Sequence, residues 1–467
     1  MRTAPGSTIV AISTPLGPGA LAVVRLSGDH ALEIADTIFQ GKAELGSRPT
    51  HTVHHGRVVD RDGRDVDEVL ATVMHAPHTY TTEDMVEFGC HGGTMPARRV
   101  LEVCLRAGAV AARRGEFTER AFLGGRIDLV QAEAVADVVG ARTRRGLEIA
   151  LGQLEGRLSG ELDALRSEIL DVRAEIEAEI DLSADESEGA SRQRATELAG
   201  TAREHAERLL TSCEFGVVVR EGVSVAIVGK PNVGKSSIMN ALLMRDRSIV
   251  TASPGTTRDV IEEFLHVEGV PVRLIDTAGW REATGEAERA GVERARAAAT
   301  GATVTLLVVD ASTPLDEGDA AVAAMLPLRT TVVAANKIDL GKAFDAKRVA
   351  ALPLREEDGR PTAQSPAWVS ATTGMGLDDL RARIAEAALG GGETPDDVLV
   401  SNTRHIEALR RVIERLEASD RLLQEGVDPT LVAVEVAESQ EALGEITGAT
   451  TAEDILERIF ERFCVGK

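Results

Sequence analysis

The feature that most constrains the fold is a glycine-rich segment between a β-branched run and a helical pattern. The run Val223–Val228 leads into "GKPNVGKS" (229–236), which matches G-x-x-x-x-G-K-[ST], and "IMNALLM" continues as a helix. Glycines let successive backbone N–H groups converge on phosphate oxygens, and the helix N-terminus adds positive potential. Lys235 is suited to bridge the β- and γ-phosphates, and the Ser236 hydroxyl is suited to ligate Mg²⁺. The segment predicts a P-loop domain.

Three later segments point to guanine as the base. "RLIDTAGW" ends a strand at Asp276, where a carboxylate can hold the Mg²⁺ shell, and its Gly279 can meet the γ-phosphate. "TTVVAANKID" carries Asp339, whose carboxylate can accept hydrogen bonds from guanine N1–H and the exocyclic amine, which adenine cannot match. "AWVSATTG" offers residues 370–372 to the guanine O6 side. In this order the segments resemble the translation-factor-type GTPases, so we predict GTP rather than ATP. The predicted nucleotide contacts are Asn232, Val233, Gly234, Lys235, Ser236, Ser237, Asp276, Thr277, Ala278, Gly279, Asn336, Lys337, Asp339, Ser370, Ala371 and Thr372.

The segments on either side of the P-loop pattern predict two other kinds of domain. Residues 1–120 alternate short β-type runs with helical spacing, which is typical of a mixed α/β domain. Residues 121–218 and 389–467 are helical, so we predict one all-α domain interrupted by an inserted P-loop GTPase domain at 219–388. Within the first helical part, one long amphipathic helix is predicted from the stripe Leu151, Leu154, Leu158, Leu162, Leu165, Ile169, Val172 and Ile176. The last predicted helix begins with Thr451 and Asp454 at capping-box-like spacing.

Charge and cysteine content limit the environment and the partners. The net charge of −23 disfavours general attraction to nucleic-acid phosphates, so an RNA partner needs a local basic patch. The arginine-rich segment 111–126 is the candidate patch, and a solvated loop is the alternative. Four cysteines without CxxC spacing indicate a reducing cytoplasm, and no apolar run reaches the roughly 18 residues of a membrane helix.

The predicted GTPase lacks two common catalytic groups in its sequence. Trp280 follows the DxxG segment where many GTPases have a water-orienting Gln, and no arginine finger is identifiable. Such a finger contributes roughly 10³–10⁵ in rate. Something else must therefore stabilise the transition state.

A resemblance suggests what replaces the finger. Asn232 together with "SIVTASPGTTRD" (248–259) resembles the potassium-activated GTPases of the MnmE (TrmE) family, in which a monovalent cation occupies the finger's position. The resemblance implies that Thr257 joins Ser236 on Mg²⁺ and that Glu288 orients water indirectly, although Glu288 also suits an ordinary exposed helix acid. The implied K⁺ ligands are Asn232, Thr251, Ser253 and Thr256, and the implied nucleotide-contacting segment is Thr251, Ala252, Ser253, Pro254, Gly255, Thr256 and Thr257.

The resemblance to this family extends along the chain. It includes "GEFTERAFLGGRIDLVQAEA" (115–134), the GTPase insert within a helical domain, and the terminal "CVGK" (464–467). It implies an N-terminal folate-binding and homodimerising domain and a partnership with an FAD-dependent flavoprotein of the MnmG type. Together they would place an aminomethyl or carboxymethylaminomethyl group on C5 of the tRNA wobble uridine, with the carbon from a tetrahydrofolate derivative (5,10-methylene or 5-formyl). The alternative is a regulatory GTPase switch of the ribosome-assembly type, without one-carbon chemistry.

The resemblance also assigns the folate contacts. They are Arg25, Glu87, Arg126 and Lys467, because a carboxylate suits the pterin amide and amine groups and cations suit the glutamyl tail. Without the resemblance, Arg25 and Glu87 would be interpreted as exposed strand residues. Cys464 is predicted to act in the uridine chemistry as nucleophile, redox partner or positioning residue, and a buried structural thiol is the plainer alternative.

Overall fold

The computed structural model describes residues 6–181, 188–211, 213–247, 264–267, 269–276, 301–327, 330–354, 365–390 and 400–467. The chain divides into two compact units. One comprises Met1–Gly140, Ala150–Glu204 and Ala408–Lys467, and the other comprises Ala141–Ile149 and His205–Glu407. The predicted combination of α/β domains with an all-α domain is confirmed. The domain limits at residues 120, 218 and 388 stay predictions.

The first unit begins with a mixed sheet. Its strands are β1 (Ile9–Ile12), β2 (Leu21–Ser27), β3 (Phe39–Gly41), β4 (Thr52–Val59), β5 (Asp65–Met74), β6 (Met85–His91) and β7 (Val110–Ala111). Within residues 6–111, these seven strands have the order β3-β4-β5-β6-β2-β1-β7 and pair antiparallel, except that β1 and β7 are parallel. The helices of this region are α1 (Ala31–Ile38), α2 (Thr94–Arg106) and α3 (Glu116–Leu123).

Alternation along the central strands buries one face of this sheet, and the opposite face is open except where α3 packs against β1. Val24 and Leu26 of β2 and Phe88 of β6 are buried in the core with α1 and α2. Because successive side chains of a strand point to opposite faces, Arg25 and Glu87 lie on the other face. The register places these two residues directly opposite each other.

Five helices follow in the described residues of the range 129–221. They are α4 (Leu129–Gly140), α5 (Arg144–Leu154), α6 (Arg157–Asp181), α7 (Glu188–Thr211) and α8 (Cys213–Glu221). The prediction of one long helix through residues 151–176 is wrong, because Gly156 adopts φ +87° and separates α5 from α6. A left-handed residue ends an α-helix. The stripe itself is confirmed within α6, where Leu158 to Ile176 of the predicted set are buried.

The second unit contains a mostly parallel sheet. Its strands are β8 (Val223–Val228), β9 (Phe264–Val267), β10 (Val270–Asp276), β11 (Val304–Asp310), β12 (Thr331–Asn336) and β13 (Ala367–Trp368). In the described part of this region, the six strands have the order β13-β12-β11-β8-β10-β9, with only β9 and β10 antiparallel. The helices are α9 (Lys235–Arg247), α10 (Glu317–Ala323), α11 (Ala346–Ala350) and α12 (Leu377–Ala388). The carboxyl ends of β8, β10, β11 and β12 therefore share one edge.

Three helices end the chain described here: α13 (Thr403–Gln424), α14 (Pro429–Thr447) and α15 (Glu453–Glu461). In the first unit, α14 packs against α6, and Phe460 of α15 packs against Leu129 of α4. The predicted capping box of α15 is wrong. The helix begins after Ala452 without a side-chain cap, since the Thr451 hydroxyl donates to the Glu445 carbonyl at 2.9 Å instead. None of the described helices has the length and apolar character needed to cross a membrane.

Candidate functional site

The phosphate loop of the second unit depends on close backbone approach. Gly229 and Gly234 have φ values of +147° and +99°, and a Cβ on Gly234 would overlap the Asn336 amide nitrogen. The Lys235 ammonium donates to the carbonyls of Gly229 at 2.9 Å and Lys230 at 2.8 Å. The loop thus curls around the lysine at the N-terminus of α9, a geometry suited to binding phosphate.

Asn336 connects the phosphate loop to the predicted base-binding segment. Its side chain is buried, and its amide nitrogen donates to the Val233 carbonyl at 3.0 Å. Its amide oxygen accepts from the Ala371 N–H at 3.1 Å. One side chain therefore fixes the distance between the two segments that would hold opposite ends of a nucleotide.

Lys337 makes a second connection. It has φ +67°, and its ammonium donates to the Asn232 carbonyl at 2.8 Å and to Asp310 Oδ2 at 2.6 Å. Burial alone would raise the pKa of Asp310, but hydrogen bonds from Lys337 and Ser312 outweigh it and hold the pKa below its usual value. The charged Asp310 thus anchors Lys337. Sequence reasoning missed Asp310, although the run "VTLLVVD" ends in a carboxylate at the same sheet edge.

The other described nucleotide residues lie at this edge. Asp339 is exposed in a 3₁₀ turn (Ile338–Leu340), and Ser370 is buried with its hydroxyl accepting from the Thr373 N–H at 3.2 Å. Asp276 ends β10, where the backbone pairs with β8 beside the start of the loop. The remaining ones are Ser236 and Ser237 in the first turn of α9, and Thr372 after Ala371. This arrangement fits the phosphates and base of GTP, and Ser236 fits a Mg²⁺ ligand at a helix N-terminus.

Several predicted residues lie outside the described part of the chain. They are Thr251, Ala252, Ser253, Pro254, Gly255, Thr256, Thr257, Thr277, Ala278, Gly279 and Glu288. Of the predicted K⁺ ligands, Asn232 is described, with φ +64° and an exposed side chain. The cation and water-orienting roles stay predictions.

A second candidate site lies on the open face of the first unit's sheet. Arg25 Nε donates to Glu87 Oε1 at 2.7 Å, with 21% and 27% of the two side chains exposed. Arg25 Nη1 also donates to the Gly466 carbonyl at 3.3 Å. The C-terminal segment 464–467 therefore meets the paired strand residues, as the predicted folate contacts require.

Glycine is needed at position 466 for this contact. Gly466 is buried with φ +92°, and a Cβ there would lie 2.6 Å from the Ile12 carbonyl. The preceding residues are held by backbone contacts, because Val465 pairs with Arg114 and the Cys464 carbonyl accepts from Gly115 N–H at 3.4 Å. The segment is thus docked by its main chain.

Tyr80 brings Arg126 into the same site. The guanidinium carbons of Arg25 and Arg126 lie 5.6 and 5.0 Å from the Tyr80 ring centroid, within range of a cation–π contact. Arg126 Nη1 donates to the Tyr80 carbonyl at 3.1 Å, and the Tyr80 hydroxyl shares a hydrogen bond with Thr118 at 2.9 Å. Sequence reasoning missed Tyr80, and the one available signal was that it is the only tyrosine in the sequence.

Comparison with known proteins places the whole chain in one family. The family model described as MnmE helical domain matches residues 129–464, and the one described as GTP-binding protein TrmE N-terminus matches residues 8–126. A tRNA modification GTPase MnmE of Geobacillus thermodenitrificans (strain NG80-2) is 45% identical over 98% of this chain and 99% of its own length. Proteins of the same name are 46% identical in Chloroflexus aurantiacus (98% and 99%) and 43% in Bacillus subtilis (98% and 100%). The chain belongs to the MnmE family. The predicted enzyme class, a GTP hydrolase, is confirmed.

In this member of the MnmE family, the two remaining predicted site residues, Cys464 and Lys467, are close together. Cys464 is exposed, whereas Cys90, Cys104 and Cys213 are buried. Burial raises the pKa of Cys90 to about 11, with the charge of Asp67 adding to it. The Lys467 N–H donates to the Cys464 carbonyl at 3.3 Å, so the backbone turns between them. The alternative of Cys464 as a buried thiol is wrong, and its chemical role stays a prediction.

Two arginines of the arginine-rich segment 111–126 in this MnmE-family chain are paired with carboxylates. Arg113 Nη2 lies 2.6 Å from Glu119 Oε2, and Arg120 Nη1 lies 3.0 Å from Glu83 Oε1. Both arginine side chains are at least two-thirds buried beside carboxylates. Paired cations cannot attract phosphates as free ones do, so neither residue supports the RNA-patch interpretation.

Proposed function

We propose that this chain is a potassium-activated GTPase that, with a flavoprotein partner, modifies C5 of the tRNA wobble uridine. The added group is aminomethyl or carboxymethylaminomethyl, and its carbon comes from a reduced folate. The observation that carries the proposal is the convergence on Arg25. Its guanidinium contacts Glu87, Tyr80 and the Gly466 carbonyl, although these residues are far apart in the sequence. The relatives named tRNA modification GTPase support the substrate.

The nucleotide half of the proposal assigns a role to each segment. Lys235 moves from the loop carbonyls onto the β- and γ-phosphates, and Asp339 accepts the two guanine donors. Ser236 and Thr257 would hold Mg²⁺, with Asp276 in its shell. Asn232, Thr251, Ser253 and Thr256 would hold K⁺, which when bound would supply the positive charge that an arginine finger supplies elsewhere. Glu288 orients water indirectly.

The one-carbon half uses the open sheet face. Glu87 would accept from the pterin amide and amine, while Arg25, Arg126 and Lys467 would face the glutamyl carboxylates. Arginine suits carboxylates because its planar fork binds both oxygens. Cys464 would stand beside the transferred carbon. The folate supplies that carbon, and the residues of this chain bind and orient it.

The proposed partners follow from the same family resemblance. The domain at 1–120 would bind folate and pair with a second copy, the helical parts would be 121–218 and 389–467, and the GTPase domain 219–388. An FAD-dependent partner of the MnmG type would complete a heterotetramer or larger assembly in the cytoplasm. Because the chain carries a net charge of −23, we expect that partner to provide most contacts to tRNA phosphates.

Nucleoside analysis of tRNA tests the proposal. A strain lacking this gene should lose the C5-modified wobble uridine by mass spectrometry, and the wild-type gene should restore it. Arg25→Ala should fail to restore it while GTP hydrolysis persists. Unchanged nucleosides in the deletion strain would refute the tRNA function. Separately, hydrolysis should be faster in K⁺ than in Na⁺ at equal ionic strength, and equal rates would remove the K⁺ assignment.

A further inference from the structure

A buried carboxylate at the start of α3 is used by neither proposed site. Glu116, in the N-terminal sheet region, is 1% exposed although its side chain is an ionisable carboxyl group. Its Oε2 accepts from the Arg113 backbone N–H at 2.8 Å, and its Oε1 lies 3.1 Å from Arg120 Nη2. A buried charge is costly unless it is paired and hydrogen-bonded. These contacts therefore hold residues 113–116 in a single bend.

That bend is the surface on which segment 464–467 docks. Arg114 pairs with Val465, and Gly115, in a left-handed conformation with φ +68°, donates to the Cys464 carbonyl at 3.4 Å. A Cβ on Gly115 would lie 2.6 Å from the Phe460 carbonyl, so the bend and the end of α15 are in close contact. The conformation of the bend decides where the docked segment lies.

The other end of the same network reaches the strand that carries Arg25. Arg120 Nη1 lies 3.0 Å from Glu83 Oε1, and Glu83 Oε2 accepts from the Ser27 hydroxyl at 2.7 Å. Ser27 is the last residue of β2, two positions after Arg25. The ion pairs thus connect both sides of the contact between Arg25 and the Gly466 carbonyl.

We infer that Glu116 is a positioning residue, whose buried carboxylate fixes the bend that docks segment 464–467 beside Arg25. It acts through the backbone of residues 113–115 and does not itself contact a ligand. The inference rests on the proposed function only in so far as the docked segment belongs to a folate site. A purely structural carboxylate would stabilise the whole sheet region equally, whereas a positioning carboxylate would stabilise segment 464–467 in particular. The two roles therefore predict different patterns of change along the chain.

The test is hydrogen exchange of the full chain carrying Glu116→Gln, which keeps the shape and removes the charge. Peptides covering residues 460–467 should exchange at least about tenfold faster than in wild type, because local opening sets the exchange rate. Peptides over β4 and β5 should not change. The matched control is Glu119→Gln, which removes another buried carboxylate of the same helix and the Arg113 side-chain partner. It leaves the bond to the Arg113 N–H, so exchange at 460–467 should stay as in wild type.

Two outcomes would overturn the inference. One is wild-type exchange at 460–467 in Glu116→Gln, and the other is equally faster exchange throughout the sheet region. If Glu116→Gln does not fold, Glu116→Asp is measured the same way, since it keeps the charge but retracts it from the Arg113 N–H. Unchanged exchange in that variant would also overturn it.

Binding of 5-formyl-tetrahydrofolate separates this inference from the proposed function. Gly466→Ala should displace the docked segment without touching the network, so exchange should rise at 460–467 and at the Gly115 N–H that bonds to the segment, and stay unchanged at 116–120. Its folate affinity should fall as far as that of Glu116→Gln. If wild type binds no folate, the proposed function fails, while the exchange data still decide the role of Glu116. If Gly466→Ala loses folate and Glu116→Gln does not, the function stands and the inference fails.

Discussion

The nucleotide site and the folate candidate site are held together by different contacts. At the nucleotide site, Asn336 and Lys337 use their side chains to bind main-chain groups of neighbouring loops at one sheet edge. At the folate candidate site, Arg25 contacts a side chain, an aromatic ring and a docked C-terminal segment. Main-chain bonds at strand ends are set by the sheet itself. Contacts on an open face form only when each participating segment is docked there. We therefore expect the nucleotide site to be rigid. The geometry of the folate candidate site should depend on the docking of the C-terminal segment.

The largest expected effect tests the rigidity of the nucleotide site. Gly234→Ala places a Cβ against the Asn336 amide nitrogen at a φ of +99°, which disfavours any L side chain. GTP affinity, measured by fluorescent-nucleotide titration, should fall at least about 100-fold. Gly200→Ala in α7 is the control, since a Cβ there meets nothing within 4 Å and alanine favours helix. Near-normal GTP binding in Gly234→Ala would mean that the loop is adaptable.

Base selectivity should change next. Asp339→Asn replaces the acceptor for guanine N1–H by an amide, which suits xanthine, and charge-assisted hydrogen bonds contribute about 1.5–3 kcal/mol each. We expect GTP affinity to fall by about 30-fold or more and the preference to shift toward XTP in competition assays. Asp345→Asn serves as the control, because Asp345 caps α11 by accepting from the Arg348 N–H. Unchanged selectivity in Asp339→Asn would refute the base contact.

A smaller effect tests the folate candidate site. Tyr80→Leu removes the ring shared by Arg25 and Arg126, and each cation–π contact contributes about 0.5–2 kcal/mol. Affinity for 5-formyl-tetrahydrofolate, measured by calorimetry, should fall by about 5- to 30-fold. Tyr80→Phe keeps the ring and loses only the hydroxyl contact with Thr118, so it should bind nearly as wild type. Equal losses in both variants would assign the effect to the hydroxyl.

The smallest effect is a pH dependence that differs between the two regions. The hydrogen bond from His91 to Asp67 raises the histidine pKa above 6.5, so this pair stabilises the sheet below pH 6.5 and is lost as the pH rises through the folded-state pKa. Asp310 behaves oppositely, since its lowered pKa makes its contribution present above pH 3.8 and lost as the pH falls through its folded-state pKa.

Nuclear magnetic resonance of the His91 ring measures the first of these effects. Asp67→Asn should bring its titration midpoint down toward 6.5. A midpoint that does not move would exclude Asp67 as the cause.

Sequence reasoning predicted the position of residues in the fold where the signal lies in a contiguous segment. Lys235, Asn336 and Asp339 belong to local motifs whose spacing fixes their position at strand ends, so the parallel sheet could be expected to bring them together. The stripe of α6 was equally predictable, because burial follows helical periodicity. The role predicted for residues 464–467 came only from a family resemblance.

The errors and omissions share a tertiary origin. The break at Gly156 depends on one left-handed residue, and the missing cap of α15 depends on Thr451 bonding to Glu445 instead. Tyr80 carries no local signal, since its partners Arg25 and Arg126 come from distant segments. The partners of Glu116 are near it in the sequence, but its burial depends on the tertiary structure. The ion pair of Arg113 likewise changes the interpretation of part of the arginine-rich segment, because the sequence alone does not show which charges are paired.

The contact between Arg25 and the Gly466 carbonyl has a consequence for biosynthesis. The two residues are separated by 441 positions. At a ribosomal rate of about 5–20 residues per second, roughly 20–90 s pass between their emergence from translation. During that interval the nascent N-terminal sheet folds with its open face uncovered, so a chaperone or a second nascent chain has access to a surface that the finished protein closes with its own C-terminal segment.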